Sequence, residues 1–274
     1  MHIKQEENFE LLPKSVLELN PQYSSTLGNG LDVLKCFSNS EPILGNTDIS
    51  KILGLSKPTI SRLLFTLTAL GFLQRLSASG KYTLGPSLLT LSYPLLRQLT
   101  IREFAAQDMI DLAKISKGPV SIGIRDRLQV VYIETTYNRY RNNAHPDIGS
   151  VRPLLSTAIG KALLYKHTKV EFEMIMNRLM DETPEEYHKF REKVDQAFMQ
   201  IQNSGFCTSF GDWRPNLYGV AVPFKNKING HYMAMNVTVS SASNNQDFVI
   251  NNIAPRLLDL ICNIETKLFD DDVK

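Results

Sequence analysis

Seven residues between positions 57 and 81 have the types and spacing to hold nucleic acid. Lys57, Thr59, Ser61, Arg62 and Thr66 fall on one side of a helical pattern whose other side carries Ile60, Leu63, Leu64, Leu67 and Leu70. An Arg fork donates two bonds to a guanine edge, Ser and Thr bond a base or a phosphate, and an α-helix fits the major groove. Arg75 and Lys81 flank a turn at Ser77–Gly80, where cations meet the backbone or the minor groove. The same pattern also suits a small three-helix packing unit whose polar side is merely wetted. Spacing alone leaves both readings open.

No catalytic chemistry is signalled. The five histidines (His2, His145, His167, His188, His231) form no ligand-spaced pair, and G-x-S-x-G, H-E-x-x-H and the P-loop are missing from the sequence. His167 falls near a helix C-terminus, where the dipole favours a cation. Cys36, Cys207 and Cys262 are odd in number and far apart, so neither a zinc site nor a disulfide framework is expected. Cys207 has no resolving partner nearby and reads as a small packed residue. The expectation is a protein with no catalytic residue, no metal and no cofactor. No apolar run reaches the roughly 18 residues of a membrane span, and no basic-then-apolar leader opens the chain. A soluble, cytoplasmic protein with no membrane partner is expected.

The elements that must position these residues follow from pattern and punctuation. The 274 residues are 43% hydrophobic and 21% charged, enough for two packed domains. The net charge of +2 does not itself require a nucleic-acid partner. Its distribution says more: Leu27–Thr90 holds six cations against three anions, whereas the first 26 residues hold two cations against four anions. Residues 1–26 read as a loose polar arm with a short helix near Ser15–Asn20. In residues 27–85, Leu31, Leu34 and Phe37 mark a first helix. Asn46 or Thr47 caps a second, with Ile49, Ile52 and Leu53, which ends at Gly54. Ser56 caps the third, with Pro58 in its first turn. Two strands, 72–76 and 81–84, form a wing. Residues 86–100 read as a linker helix, kinked or ended early at Pro94.

Residues 101–269 read as a second, α/β domain. A helix from about Ile101 leads to hairpin strands 120–124 and 129–135 and a strand at 151–155. Helices follow at 156–167, 170–180 and 184–203, then strands at 217–223 and 232–239. An amphipathic helix over 247–268 closes the domain, and Asp270–Asp272 read as a frayed tail.

The stretch DISKILGLSKPTISRLLFTLTALGFLQRLSASGKYTLGPSLLTL (Asp48–Leu91) resembles the winged helix-turn-helix of the IclR family of bacterial regulators. PLLSTAIGKALL (Pro153–Leu164), GFCTSFGDWRPNLYGVAVPF (Gly205–Phe224) and GHYMAMNVTVS (Gly230–Ser240) resemble later family segments, in the family's order. The resemblance implies an α+β chain: an N-terminal winged helix, a linker helix and a C-terminal GAF-like domain that binds a small effector, often a carboxylate or an aromatic-pathway acid. It further implies a homodimer or homotetramer on double-stranded operator DNA. Positions carried over to the effector site are Ala158, Ile159, Ser209, Leu217, Gly219, Asn236 and Thr238. Asn236 and Thr238 are two apart and share one sheet face; without the resemblance, polar side chains that meet solvent or bond neighbouring loops are the favoured reading. The N-terminal N–H groups of the Thr157–Lys161 helix start suit an anion.

One departure stands out. Many relatives carry consecutive carboxylates where this chain has Ser209–Phe210–Gly211, followed by Asp212, Trp213 and Arg214. Trp213 as an aromatic wall and Arg214 as a carboxylate clamp are the expectation this raises. Core packing for Trp213 and a solvated or ion-paired Arg214 remain open. The expected mechanism is an effector-driven shift in oligomer geometry. The rival readings are an enzyme acting on a small carboxylic acid and a ligand-free oligomerisation domain.

Overall fold

The computed structural model describes residues 11–38, 40–136 and 146–270. The first ten residues of the expected arm, and the expected tail beyond Asp270, lie outside the described residues. The chain divides into two compact units, Met1–Gln98 and Leu99–Lys274.

In the first unit α1 (Lys14–Leu17), α2 (Ser25–Lys35), α3 (Asn46–Leu53) and α4 (Lys57–Ala69) precede a hairpin of β1 (Leu73–Arg75) and β2 (Tyr82–Leu84). Helix α5 (Ser87–Gln98) follows. Val33, Ile49, Ile60, Leu64 and Leu73 form the centre of the core. Part of the arm is docked rather than loose, since Lys14 Nζ donates to Asn29 Oδ1 at 2.9 Å and pairs with Asp32 at 2.6 Å. Three expected core positions face outward. Leu31 is exposed because α2 buries the side bearing Gly30 and Val33. Leu70 is exposed because it is the C-cap of α4, where the chain already turns away at Gly71. Ile52 is exposed too. Gly54 closes the turn between α3 and α4 at φ 67°, a left-handed geometry that glycine adopts without steric cost. Helix α5 continues through Pro94. A proline has no N–H, so the carbonyl four residues back at Thr90 loses its helical donor.

The second unit contains α6 (Ile101–Ser116), β3 (Val120–Asp126), β4 (Gln129–Thr135), β5 (Val151–Pro153), α7 (Ala158–Tyr165), α8 (Lys169–Glu182) and α9 (Pro184–Ser204). It continues with β6 (Cys207–Phe210), β7 (Leu217–Pro223), β8 (Met233–Ser240), α10 (Gln246–Phe248) and α11 (Ala254–Asp270). The strands form one antiparallel sheet in the order β5-β4-β3-β8-β7-β6. Two details differ from expectation. The stretch read as a loop holds the edge strand β6, and the closing helix begins as α10 followed by a π-helical turn, Val249–Ile253.

Register decides what this sheet presents. Ser209, Gly219 and Thr238 lie in a row across β6, β7 and β8, and Asn236 shares their face two residues along. Helix α7 covers that face. A Cβ on Gly219 would sit 3.6 Å from Ala158 Cβ, and one on Gly160 would sit 2.2 Å from the Leu154 carbonyl oxygen. Gly160 therefore allows α7 its close approach. Val222, at odd offset from Gly219, instead borders a groove with Leu258 and Ile261 of α11. His167 follows the C-terminus of α7, where Arg125 Nε lies 2.9 Å from its Nε2 and Glu171 Oε2 lies 3.6 Å from its Nδ1. Among the described residues no helix is long and apolar enough to cross a membrane.

Candidate DNA-reading face and effector cleft

Helix α4 is held at its start by side chains. Ser56 Oγ accepts from the Thr59 N–H at 3.3 Å and lies 2.8 Å from Thr59 Oγ1. Asn46 Nδ2 donates to Ser61 Oγ at 2.7 Å and to the Lys57 carbonyl at 3.2 Å, tying α4 to the first residue of α3. Asp48 Oδ2 accepts from the Gly45 N–H at 2.9 Å and secures the start of α3. All seven candidate residues are exposed on α4 and the wing, but they are not equivalent. Thr59 and Ser61 are engaged as above, and Thr66 Oγ1 donates to the Arg62 carbonyl at 3.0 Å. Lys81 lies 3.8 Å from Asp48 in an exposed pair that contributes little. Lys57, Arg62 and Arg75 have no carboxylate partner among the described residues. Sequence reasoning missed Phe65, 76% exposed and one turn beyond Arg62 on the same face. Its signal was an apolar residue just off the core stripe.

In the second unit a cleft opens at the N-terminal end of α7. Its lining includes Ala158, Ser209, Trp213, Leu217, Gly219, Asn236 and Thr238, seven of the nine candidate effector residues. Ile159 and Arg214 are not brought there. Ile159 is fully buried, its Cδ1 facing the Gly123 backbone in the core. Arg214 is exposed and stacks over Trp213 at 4.3 Å from the ring centre. The cation that lines the cleft is Arg152, with Tyr132 beside it. Neither was singled out from the sequence, although Tyr132 alternates inward along a predicted strand and Arg152 immediately precedes the Pro153–Leu164 segment. The Arg152 guanidinium lies 4.9 Å from the centres of both the Tyr132 and the Trp213 rings, a cation–π geometry. Among the described residues no carboxylate pairs with it. The cleft has a volume of about 30 Å³, room for roughly one water.

Asn236 is the polar anomaly of the cleft. It is only 4% exposed, and its Nδ2 donates to Thr238 Oγ1 at 3.0 Å, while Oδ1 has no partner among the described residues. Because a hydroxyl both donates and accepts, the amide can turn over and offer the cleft either its oxygen or its NH₂. Burial pushes the Tyr132 phenol up despite Arg152 and Asn236 nearby, so it remains a neutral donor.

Behind the cleft lies a buried ion cluster. Lys161 Nζ lies 2.8 Å from Asp212 Oδ2, and Lys193 of α9 reaches Asp212 Oδ1. Ser209 Oγ donates to the Ser156 carbonyl at 2.9 Å and lies 3.2 Å from Asp212 Oδ2, so this hydroxyl is committed inward. At the α7 start Thr157 Oγ1 accepts from the Gly160 N–H at 3.1 Å, and the anion nearest Lys161 is the protein's own Asp212. An acid is thus retained after β6, neutralised by two lysines. Cys207 is buried, donates to the Ala158 carbonyl at 3.3 Å, and burial pushes its thiol up to about 12, so no thiolate forms at neutral pH.

A winged helix-turn-helix with exposed cations on its outer helix, followed by a sheet domain with a small cleft, has the architecture of a DNA-binding regulator. Comparison with known proteins agrees. The IclR helix-turn-helix domain matches residues 26–77, and the domain described as bacterial transcriptional regulator IclR C-terminal matches residues 94–264. The chain is 30% identical over 212 residues to the HTH-type transcriptional regulator TsaQ1/TsaQ2 of Comamonas testosteroni, spanning 77% of this chain and 76% of that one. The crystal structure of an IclR family transcriptional regulator from Brucella abortus superposes with a TM-score of 0.82 at 33% identity, covering 90% of this chain and 94% of that one. An IclR homologue from Microbacterium hydrocarbonoxydans complexed with 4-hydroxybenzoate shares the fold, with a TM-score of 0.70 at 18% identity over 89% of this chain and 99% of that one. This chain belongs to the IclR family: it is a DNA-binding transcriptional regulator and not an enzyme.

Proposed function

We propose that Arg62 and Phe65 on α4 read the bases of double-stranded operator DNA, that Lys57, Arg75 and Lys81 hold its phosphates, and that a small organic acid in the cleft alters this binding. The observation that carries the effector reading is the unpaired amide atom of Asn236, buried beside an Arg152 that has no carboxylate partner among the described residues. A buried polar atom left unpaired costs roughly 1–3 kcal/mol, and a ligand that bonds it recovers that cost. The 4-hydroxybenzoate held by the Microbacterium homologue supports an acid as the class of ligand. Thr59, Ser61 and Thr66 act by shaping α4 as much as by touching DNA. Leu89 and Tyr93 on one side of α5, and Leu91 and Leu95 on another, are exposed, and these apolar positions support a homodimer reading paired half-sites, with a homotetramer as two such dimers. A cytoplasmic location follows from the DNA partner.

The small volume of the cleft favours a second reading, in which the C-terminal unit only oligomerises. One experiment separates the two: binding to DNA upstream of the neighbouring operon, across a salt series, with and without a panel of aromatic and aliphatic acids. Salt-sensitive binding changed by one acid is the expected result. DNA binding that no acid alters supports the second reading.

A further inference from the structure

We infer that the effector is a monoacid with an apolar body, whose carboxylate takes the Arg152 guanidinium and whose body fills a second cavity that the same arginine lines. This rests on the effector reading above. The second cavity has a volume of about 280 Å³ and lies between β5 and the junction of α8 and α9. Arg152 lines both cavities.

Size makes the first argument. A space of about 30 Å³ has room for roughly one water, too little for the body of an organic acid. An apolar cavity of about 150 Å³ already takes benzene, so 280 Å³ holds a ring with a short chain. The way in is the second argument. Arg152 is held by two aromatic faces and by the carbonyl of its neighbour Val151, which accepts from Nη1 at 2.6 Å. Turning its fork toward an incoming carboxylate therefore breaks no ion pair among the described residues, and a bidentate pair forms in its place.

The walls of the second cavity set the body. Val151, Pro153, Leu154 and Leu179 give it an apolar surface. Glu182 and Glu186 supply two carboxylates at its border. Glu182 pairs with the exposed Arg178, and Glu186 accepts from Ser156 Oγ at 2.9 Å. Two acids in the lining repel a second carboxylate and accept a bond from a hydroxyl. The site thus selects a monoacid over a diacid of the same length, and a hydroxyl on the body strengthens binding.

Trp213 is the only tryptophan of the chain, so its emission follows Arg152 directly. The full-length protein is titrated with acetate, 3-(4-hydroxyphenyl)propanoate and 3-(4-carboxyphenyl)propanoate. The hydroxy acid is expected to bind about tenfold or more tightly than either of the others. Arg152→Gln should remove that advantage, Arg152→Lys should retain part of it, and Glu182→Gln should raise affinity for the diacid alone. Circular dichroism establishes that each variant is folded. If all three acids bind alike and Arg152→Gln weakens all equally, the cleft takes acids but the second cavity holds no body, and this inference falls while the effector reading stands. If no acid shifts the emission, the acid-effector reading falls and carries this inference with it.

Discussion

Lys161 and Asp212, 51 residues apart in the chain, meet as a buried ion pair at 2.8 Å beneath the turn that carries Trp213. The side chains are 2% and 6% exposed. The pair joins α7, which roofs the cleft, to the turn that walls it, and Lys193 adds α9 to the same carboxylate. Asp212→Asn leaves Lys161 charged and unpaired in the interior, and a loss of about 3–5 kcal/mol is expected. Lys161→Met leaves Asp212 its Lys193 partner and should cost less. Urea unfolding of the two variants measures the order, and equal losses would count against the buried pair as the anchor of this turn.

The same carboxyl makes an acid-side signature. Burial pushes Asp212 up, but Lys161 and Lys193 together outweigh it and hold the group below its ordinary value. A carboxyl depressed by folding contributes stability that is fully present above its unfolded value of about 3.9 and is lost as pH falls through the folded value. Melting temperature followed downward through that window should fall less steeply in Asp212→Asn than in the parent. Asp32 and Glu171, also depressed, are common to both proteins and cancel in the difference.

On the DNA face, Arg62 and Lys57 should separate by type of readout. Arg62→Ala is expected to weaken operator binding by about 1–3 kcal/mol and to relax preference at one base position. Lys57→Ala should weaken all sequences alike and reduce the salt slope by about one unit. Binding isotherms on operator and random DNA at several salt concentrations distinguish them, and an unchanged isotherm for Arg62→Ala removes it from the interface.

Gly54→Ala tests the turn itself. Nothing lies within 4 Å of the added methyl, so the cost is conformational, about 1–2 kcal/mol for a non-glycine residue in the left-handed region. The expected result is a lower melting temperature of the first unit. DNA affinity at temperatures where the unit stays folded should be little changed.

Asn236→Ala should blunt the response to acid while leaving DNA binding without acid nearly intact. Its amide makes one hydrogen bond, to Thr238, and its other atom makes none, so truncation costs the fold only about 1 kcal/mol. A loss of DNA affinity in the absence of acid would instead mark Asn236 as structural.

Much of this architecture was legible because it obeys short-range rules. The stripe Ile60, Leu63, Leu64, Leu67 has helical period, Ser56 and Pro58 mark a helix start, and Gly54 marks a stop. What was not legible depends on contacts distant in sequence. Leu31 looks like a core residue until Gly30 and Val33 are seen to face Leu63 and the bundle interior. Strand β6 lacks alternation because Cys207, Thr208 and Ser209 are all buried; Thr208 Oγ1 accepts from Gln200 Nε2 of α9, and Ser209 Oγ donates to the Ser156 carbonyl 53 residues away. Arg152 was hidden for the same reason: its aromatic partner Trp213 lies some 60 residues downstream, and Arg214, adjacent to that tryptophan, looked the better clamp.

The tightness of the cleft has a kinetic corollary. With space for roughly one water, an acid enters the cleft only where Arg152 or Trp213 swings aside, so binding requires an open form distinct from the one described. Apparent affinity is then reduced by that open fraction. Where opening precedes capture, the observed association rate levels off as acid concentration rises. The switching time of the regulator would then be set by a side-chain and loop rearrangement within the protein, and by the abundance of the acid only when the acid is scarce.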